Sequence, residues 1–411
     1  MTMALASQLP QSVFKLLGIW NGDWLRPTTN RPSTDGHDDL TFNNLLTGAL
    51  VGGGDGNDRI HVTDAAALVS AIEGGNGSDQ IFGNSALVSI IDGGNGNDYI
   101  HGGAGADTLS GGAGIDTLSY EFSNVGVNVD MFNLTVLGGI DVSGGDATGD
   151  IVSNNFDNVV GSAYNDEITG NEDDNILIGL AGDDTLRGDE GNDTLIGGAG
   201  ADSLLGSFLE RTDTVDYSTS PSGVRINSVE EFTFDGYGGD AEGDKIELID
   251  NITGSNHDDV INGSTSNNVF RGGGGNDFLY GGAWDDNNAG GRDTLIGGAG
   301  SDSISCFNLR SRSADDTIVF ESITDSLPGT PDVIDMDSFD TIHLAGIDAN
   351  PTEVGDQAFI KVDNFTSVAG QLVLTRIGDI GYTHRIYADI NGDTIADMEI
   401  RISDGSVPII L

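Results

Sequence analysis

The residues best placed to do chemistry in this chain are aspartates held at one fixed position among glycines. Residues 53–61 read GGDGNDRIH, 74–82 GGNGSDQIF and 93–101 GGNGNDYIH, and the last runs straight into GGAGADTLS at 102–110 and GGAGIDTLS at 111–119. A second block fills 161–205 and ends GLAGDDTLR, GDEGNDTLI, GGAGADSLL, while a third starts at Gly254 and holds GGGGNDFLY at 272–280 and GGAGSDSIS at 297–305. A carboxylate at the sixth place, beside the carbonyls of a tight turn, supplies hard oxygen donors of the kind Ca²⁺ takes.

The candidate metal ligands follow position by position. In the first block they are Gly53, Gly54, Gly56 and Asp58; Gly74, Gly75, Gly77 and Asp79; Gly93, Gly94, Gly96 and Asp98; Gly102, Gly103, Gly105 and Asp107; and Gly111, Gly112, Gly114 and Asp116. In the second they are Asp166; Gly179, Gly182 and Asp184; Gly188, Gly191 and Asp193; and Gly197, Gly198, Gly200 and Asp202. In the third they are Asp259; Gly272, Gly273, Gly275 and Asp277; and Gly297, Gly298, Gly300 and Asp302. Asn175 and Asn268 stand where Asp belongs and offer an oxygen without charge, so those sites are expected to be weak or empty. Trp284, at the fourth place of 281–289, is too large for the turn, and an irregular copy is expected there.

The elements that position these groups follow from the same pattern. Glycines at the first, second and fourth places permit φ > 0 and close backbone approach. The last three residues form a short strand whose middle residue, the eighth of the nonad, faces inward. Ile60 between Arg59 and His61, and Leu109 between Thr108 and Ser110, obey the rule. One such strand buries little, so stability must come from stacking neighbours and from metal. About a dozen copies set this apart from scattered Gly/Asp turns.

Composition points the same way. The chain has 411 residues, 63 of them Gly, with 66 acidic against 16 basic residues and a net charge of -50. Self-repulsion on that scale opposes compaction and implies a cationic partner. No basic patch is available for nucleic acid or for anionic membranes. No apolar stretch reaches the ~18 residues of a membrane span. The first 24 residues lack a basic region followed by a long apolar one, so no cleavable signal peptide is expected and an export address would lie elsewhere.

A longer period overlies the nonads. Asp116-Thr-Leu-Ser-Tyr120 corresponds to Asp213-Thr-Val-Asp-Tyr217, and Gly144-Gly-Asp146 to Gly238-Gly-Asp240, about 95 residues apart. The linking stretches alternate apolar and polar residues (125–131, 223–226) and read as irregular strands continuing the solenoid. Residues 8–19 are expected to form a short amphipathic helix within a cap spanning 1–50.

The nonads resemble the calcium-binding repeat of RTX (hemolysin-type) proteins. From about Asp315 the series Thr317-Ile-Val-Phe320, Asp340-Thr-Ile-His-Leu344, Gly370-Gln-Leu-Val-Leu374 and Ala388-Asp-Ile-Asn-Gly-Asp393 resembles the C-terminal domain of serralysin-type secreted metallopeptidases. The resemblance covers roughly residues 50 to 411. It implies an all-β fold: a parallel β-roll over 51–314, in blocks 51–119, 161–205 and 254–305, with a β-sandwich-like cap over 315–411. It also implies several Ca²⁺ ions, a bacterial extracellular location, and an uncleaved C-terminal signal read by the type I secretion machinery. Val407-Pro-Ile-Ile-Leu411 looks like that signal's tail, with Pro408-Ile409 in place of the family's Asp-Phe.

The protease centre of that family has no counterpart. None of the six histidines sits in H-E-x-x-H, and His61 and His101 fall at outward strand positions. Cys306 is the only cysteine, so neither an internal disulfide nor a thiolate zinc site is expected. No G-x-S-x-G elbow or Cys–His pair occurs. Asp389, Asn391, Asp393 and Asp397 alternate oxygens around Gly392 as in a calcium loop, but Ile400 replaces the closing Glu. The expectation is therefore a non-enzymatic secreted calcium-binding protein. The alternatives are an adhesin or surface-layer component contacting polysaccharide or cell surface through loops bearing Phe234, Tyr237 and Trp284, or an accessory part of a polysaccharide-modifying enzyme or protease.

Overall fold

Each nonad ends in a triplet with an apolar residue at its centre, and the structure turns these triplets into strands. The computed structural model describes residues 36–42, 49–62, 69–83, 88–134, 139–207, 212–230, 233–264, 266–282, 291–306, 315–336, 338–353, 355–377, 383–403 and 408–410. The expected helix at 8–19 and Trp284 lie outside them. The chain forms two units, Met1–Arg211 and Thr212–Leu411. Among the described residues there is no α-helix, only the single 3-10 turns Gly145–Ala147, Gly239–Ala241 and Ile323–Asp325.

In the first unit successive triplets alternate between two parallel sheets. In one sheet the register stacks Leu40, Ile60, Ile81, Ile100, Leu118, Val159, Leu177 and Leu195 into a single column. In the other, Val51, Ile72, Ile91, Leu109 and Val152 form one column, and Val129, Ile168, Leu186 and Leu204 form another. All are buried, and the flanking residues face out, as in the exposed–buried–exposed pattern of Thr185–Arg187. These columns are the core. Fully burying one such side chain is worth roughly 1.5–3 kcal/mol, so the core is built from many equal increments.

The second unit repeats the plan. Val215, Ile252, Phe270, Leu295, Ile318, Ile342 and Ile409 form one column, and Ile226, Ile261, Leu279, Ile304, Ile334 and Ile402 the other. Parallel stacking therefore continues past residue 314 through Thr317–Val319, Asp332–Asp335 and Thr341–His343. The antiparallel strands Gln371–Arg376, His384–Asp389 and Met398–Ile402 then extend one sheet, and Ile409–Ile410 extends the other.

The longer period is visible as an excursion in each unit. Asn128–Leu134, Ile140–Ser143 and Ile151–Val152 pair antiparallel before the parallel stack resumes. Arg225–Glu230, Thr233–Tyr237 and Lys245–Glu247 do the same. Equivalent hydrogen bonds pin both: Tyr120 donates to Asp150 at 3.1 Å and Tyr217 to Asp244 at 2.7 Å.

Removing one rung should therefore be costly and removing its outward neighbour cheap. In Ca²⁺-saturated protein, Leu177→Ala is expected to lose about 2–5 kcal/mol. Ile176→Ala, at a side chain 42% exposed, is expected to stay within about 0.5 kcal/mol. Denaturant unfolding of both variants checks this.

Candidate metal centres

The turn geometry assigns separate jobs to the glycines. Second-place glycines and most fourth-place ones hold positive φ, as at Gly75 (122°) and Gly77 (126°), the fourth-place Gly105, Gly200 and Gly300 being exceptions. The conformation is so firmly required that Leu180 (82°) and Asp189 (63°) adopt it at second places lacking Gly. First-place glycines do not have positive φ, contrary to the expectation from sequence; they are required by closeness. A Cβ on Gly74 would collide with Oδ2 of Asp79 and with the carbonyl oxygen of Gly93 in the next turn. Gly53, Gly93 and Gly272 repeat the arrangement against Asp58, Asp98 and Asp277. A carboxylate oxygen and a carbonyl oxygen thus converge on one small space.

The sixth-place aspartates form ladders. Oδ1 of Asp79 accepts the backbone N–H of Asp58 at 2.7 Å, Oδ1 of Asp98 that of Asp79 at 2.8 Å, and Oδ1 of Asp116 that of Asp98 at 2.9 Å. Asp166, Asp184 and Asp202 form a second ladder, and Asp193 accepts from Asn175. In the other unit Asp259, Asp277 and Asp302 continue to Asp332. One oxygen of each carboxylate is thereby engaged. The other, in Asp58, Asp79, Asp98, Asp107, Asp116, Asp277 and Asp302, is buried with no hydrogen-bond partner. A buried acceptor left in this state costs about 1–3 kcal/mol, more when charged.

Electrostatics register the same strain. Burial, opposed by the ladder hydrogen bond and reinforced by neighbouring carboxylates, pushes Asp79 up to about 6, Asp116 to about 7, and Asp107 and Asp277 to about 8. Burial likewise raises Asp332 to about 9. A divalent cation between the carboxylate and the carbonyl oxygens would remove both the orphaned acceptor and the repulsion. The donor set of carboxylate plus carbonyl oxygens fits Ca²⁺.

The asparagine copies provide an internal control. Nδ2 of Asn175 donates to the carbonyl of Asp157 at 2.7 Å, and Nδ2 of Asn268 to that of Asp250 at 2.9 Å. The amide nitrogen is spent on the preceding rung, and the oxygen left beside the next turn's carbonyl, Oδ1 of Asn175 at the Gly170 position, carries no charge and already accepts the Asn171 N–H, which is the physical reason to expect these copies to be weak or empty. Asp166 and Asp259 also stand apart from the orphaned set. Ser162 and Ser255, at the second place, donate N–H and hydroxyl to their carboxylates, so both oxygens are engaged.

Other expectations change. The ladders include Asp150, Asp157, Asp293, Asp316, Asp332 and Asp340, which lie outside intact nonads and were missed. Their signal was the triplet alone: Asp316, Asp332 and Asp340 each stand two residues before a fully buried isoleucine (Ile318, Ile334, Ile342). Asp293 takes the sixth-place role opposite Gly281, in the copy carrying Trp284. His101 is not a solvated outward residue; it is buried, with Nδ1 2.9 Å from the carbonyl of Ser119 and its ring edge-on to Phe122. Phe234, proposed as a contact residue, is wholly buried, whereas Tyr237 is exposed. The loop around Gly392 spends its oxygens on its own backbone: Asp389 accepts from Asn391, Gly392 and Thr394, and Asp397 from Ile390.

The repeats that build these turns also match a known family. The family model described as the RTX calcium-binding nonapeptide repeat matches residues 71–86, 89–118, 153–186, 178–208, 253–286 and 289–305, a little over a third of the chain. The chain carries RTX calcium-binding repeats, and they bind several Ca²⁺ ions. Among solved structures it is similar to the AlgE6R3 subunit of the Azotobacter vinelandii mannuronan C5-epimerase. That likeness has 25% identity over 36% of this chain and 71% of the other, with a TM-score of 0.24. Curated proteins returned no match.

The raised aspartates fix the sign of the pH dependence without metal. Folded-state values above the unfolded carboxylate value mean that the folded chain binds more protons, so metal-free stability falls as pH rises from about 4 towards 8–9. In chelator, acidification from pH 8 to pH 5 should recover part of the far-UV β-signal lost on removing Ca²⁺. Asp277→Asn should blunt that gain and reduce bound Ca²⁺, measured by equilibrium dialysis. A flat profile would contradict the assignment.

Proposed function

We propose that this chain is an exported, non-enzymatic calcium-binding protein whose β-roll folds on its metal after type I secretion. The observation that carries the reading is the row of buried carboxylate oxygens without partners, set against asparagine copies whose uncharged side-chain oxygens already accept backbone N–H groups. With a net charge of -50, mutual repulsion keeps the chain extended where free calcium is scarce. Outside, at millimolar Ca²⁺, successive turns are bridged. Each site held at 100 times its dissociation constant contributes roughly 2.7 kcal/mol, so a few sites decide folding. The resemblance of the C-terminal segment to serralysin-type exoproteins supports the export route. Far-UV circular dichroism at pH 8 in Ca²⁺ and in EDTA tests the proposal: the β-signal is expected only with Ca²⁺ at that pH, and an unchanged signal in chelator would overturn it.

A second reading, contact with polysaccharide, is favoured by an aromatic stripe on one sheet of the first unit. Phe82 lies 5.8 Å from His61, 6.1 Å from Tyr99 and 6.3 Å from Phe122, ring to ring, with the Arg59 guanidinium 5.5 Å over its face. Phe122 is 63% exposed. Flat aromatic faces on consecutive strands suit sugar rings. Glycan binding that disappears in Phe122→Ala, with calcium-induced folding intact, is the expected result; no glycan bound by the folded wild type would remove this reading.

A further inference from the structure

One first-place column of the second unit changes its chemistry along its length. Backbone hydrogen bonds from Gly263 to Tyr280, from Gly281 to Ser305 and from Cys306 to Asp335 place Gly263, Gly281, Cys306 and Met336 one above another at the first place of successive turns. Opposite them runs the sixth-place ladder Asn268, Asp293, Asp316, Asp340, joined by N–H to Oδ1 bonds of 2.9, 2.8 and 3.2 Å. At the Gly281 level a Cβ would meet Oδ2 of Asp293 at 2.6 Å, so the usual cramped oxygen space is present. One turn on, a thiol stands in that space.

We infer that Cys306, Asp316 and Asp340 form a zinc-type site distinct from the calcium rows. Their sulfur and carboxylate oxygens lie within 4.8 Å of one another, and all three residues are buried. A Zn–S distance of ~2.3 Å and Zn–O distances of ~2.0–2.2 Å would draw these atoms together by about an ångström. Ca²⁺ prefers oxygen alone, whereas a borderline metal accepts thiolate and carboxylate together. The buried Oδ2 of Asp293, which has no hydrogen-bond partner, faces the same column one turn away and adds a further oxygen acceptor beside the cluster. Binding replaces the thiol proton: an S–H bond breaks, a Zn–S bond forms and the proton leaves to solvent.

Cys306 is the chain's only cysteine, so any thiolate–metal signal must arise there. Full-length protein folded in excess Ca²⁺ is titrated with Co²⁺ as a probe of Zn²⁺. The expected result is a near-ultraviolet sulfur-to-cobalt charge-transfer band that saturates at one ion per chain, is bleached by Zn²⁺, and is absent from Cys306→Ser. Loss of this ligand should weaken Zn²⁺ binding by more than about 100-fold, beyond what outer-sphere changes cost. A folded wild type showing no such band overturns the inference even if the variant fails to fold. Circular dichroism of the same samples reports calcium-induced folding separately, so failure of the zinc site is distinguishable from failure of the proposed function.

Discussion

A buried carboxylate that is only half satisfied governs this molecule. One oxygen of each sixth-place aspartate takes the N–H of the preceding rung and so sets the spacing of the turns. In the orphaned members the other oxygen is pressed towards the carbonyl of the next turn by a glycine with no room for a side chain. Oxygen facing oxygen in a dry interior is unfavourable for the chain alone and favourable for a hard cation.

The rest of the architecture serves that constraint. Each triplet contributes one inward aliphatic residue, and the rungs are nearly interchangeable, so no single hydrophobic centre holds the roll together. The ladders and columns share a register, so the turns that carry the aspartates and the rungs of the core are set by the same stacking. Where the register is interrupted, at the antiparallel excursions, tyrosine-to-aspartate hydrogen bonds tie the chain back to the ladder.

Much of this was legible in the sequence because the period is short and each position has one physical role. Inward residues such as Ile60 and Leu195 and the Asn-for-Asp departures at Asn175 and Asn268 follow from the nonad itself. Asp293, Asp316, Asp332 and Asp340 were not found because longer turns break the nine-residue spacing while leaving the Asp-x-aliphatic triplet intact. His101 misled because the ninth position is outward on the strand, yet Phe122 from beyond the next rung covers it. Cys306 was read for the chemistry it excludes; its place in a glycine column emerges only from the stacking.

The central claim is that calcium binding and folding are one equilibrium. The most direct measurement is the slope of the logarithm of the folding constant against the logarithm of free Ca²⁺, taken from denaturant titrations at several buffered Ca²⁺ concentrations. The slope counts ions taken up on folding. A slope of several ions per chain is the expected result. A slope near zero, with the chain folded throughout, would contradict it.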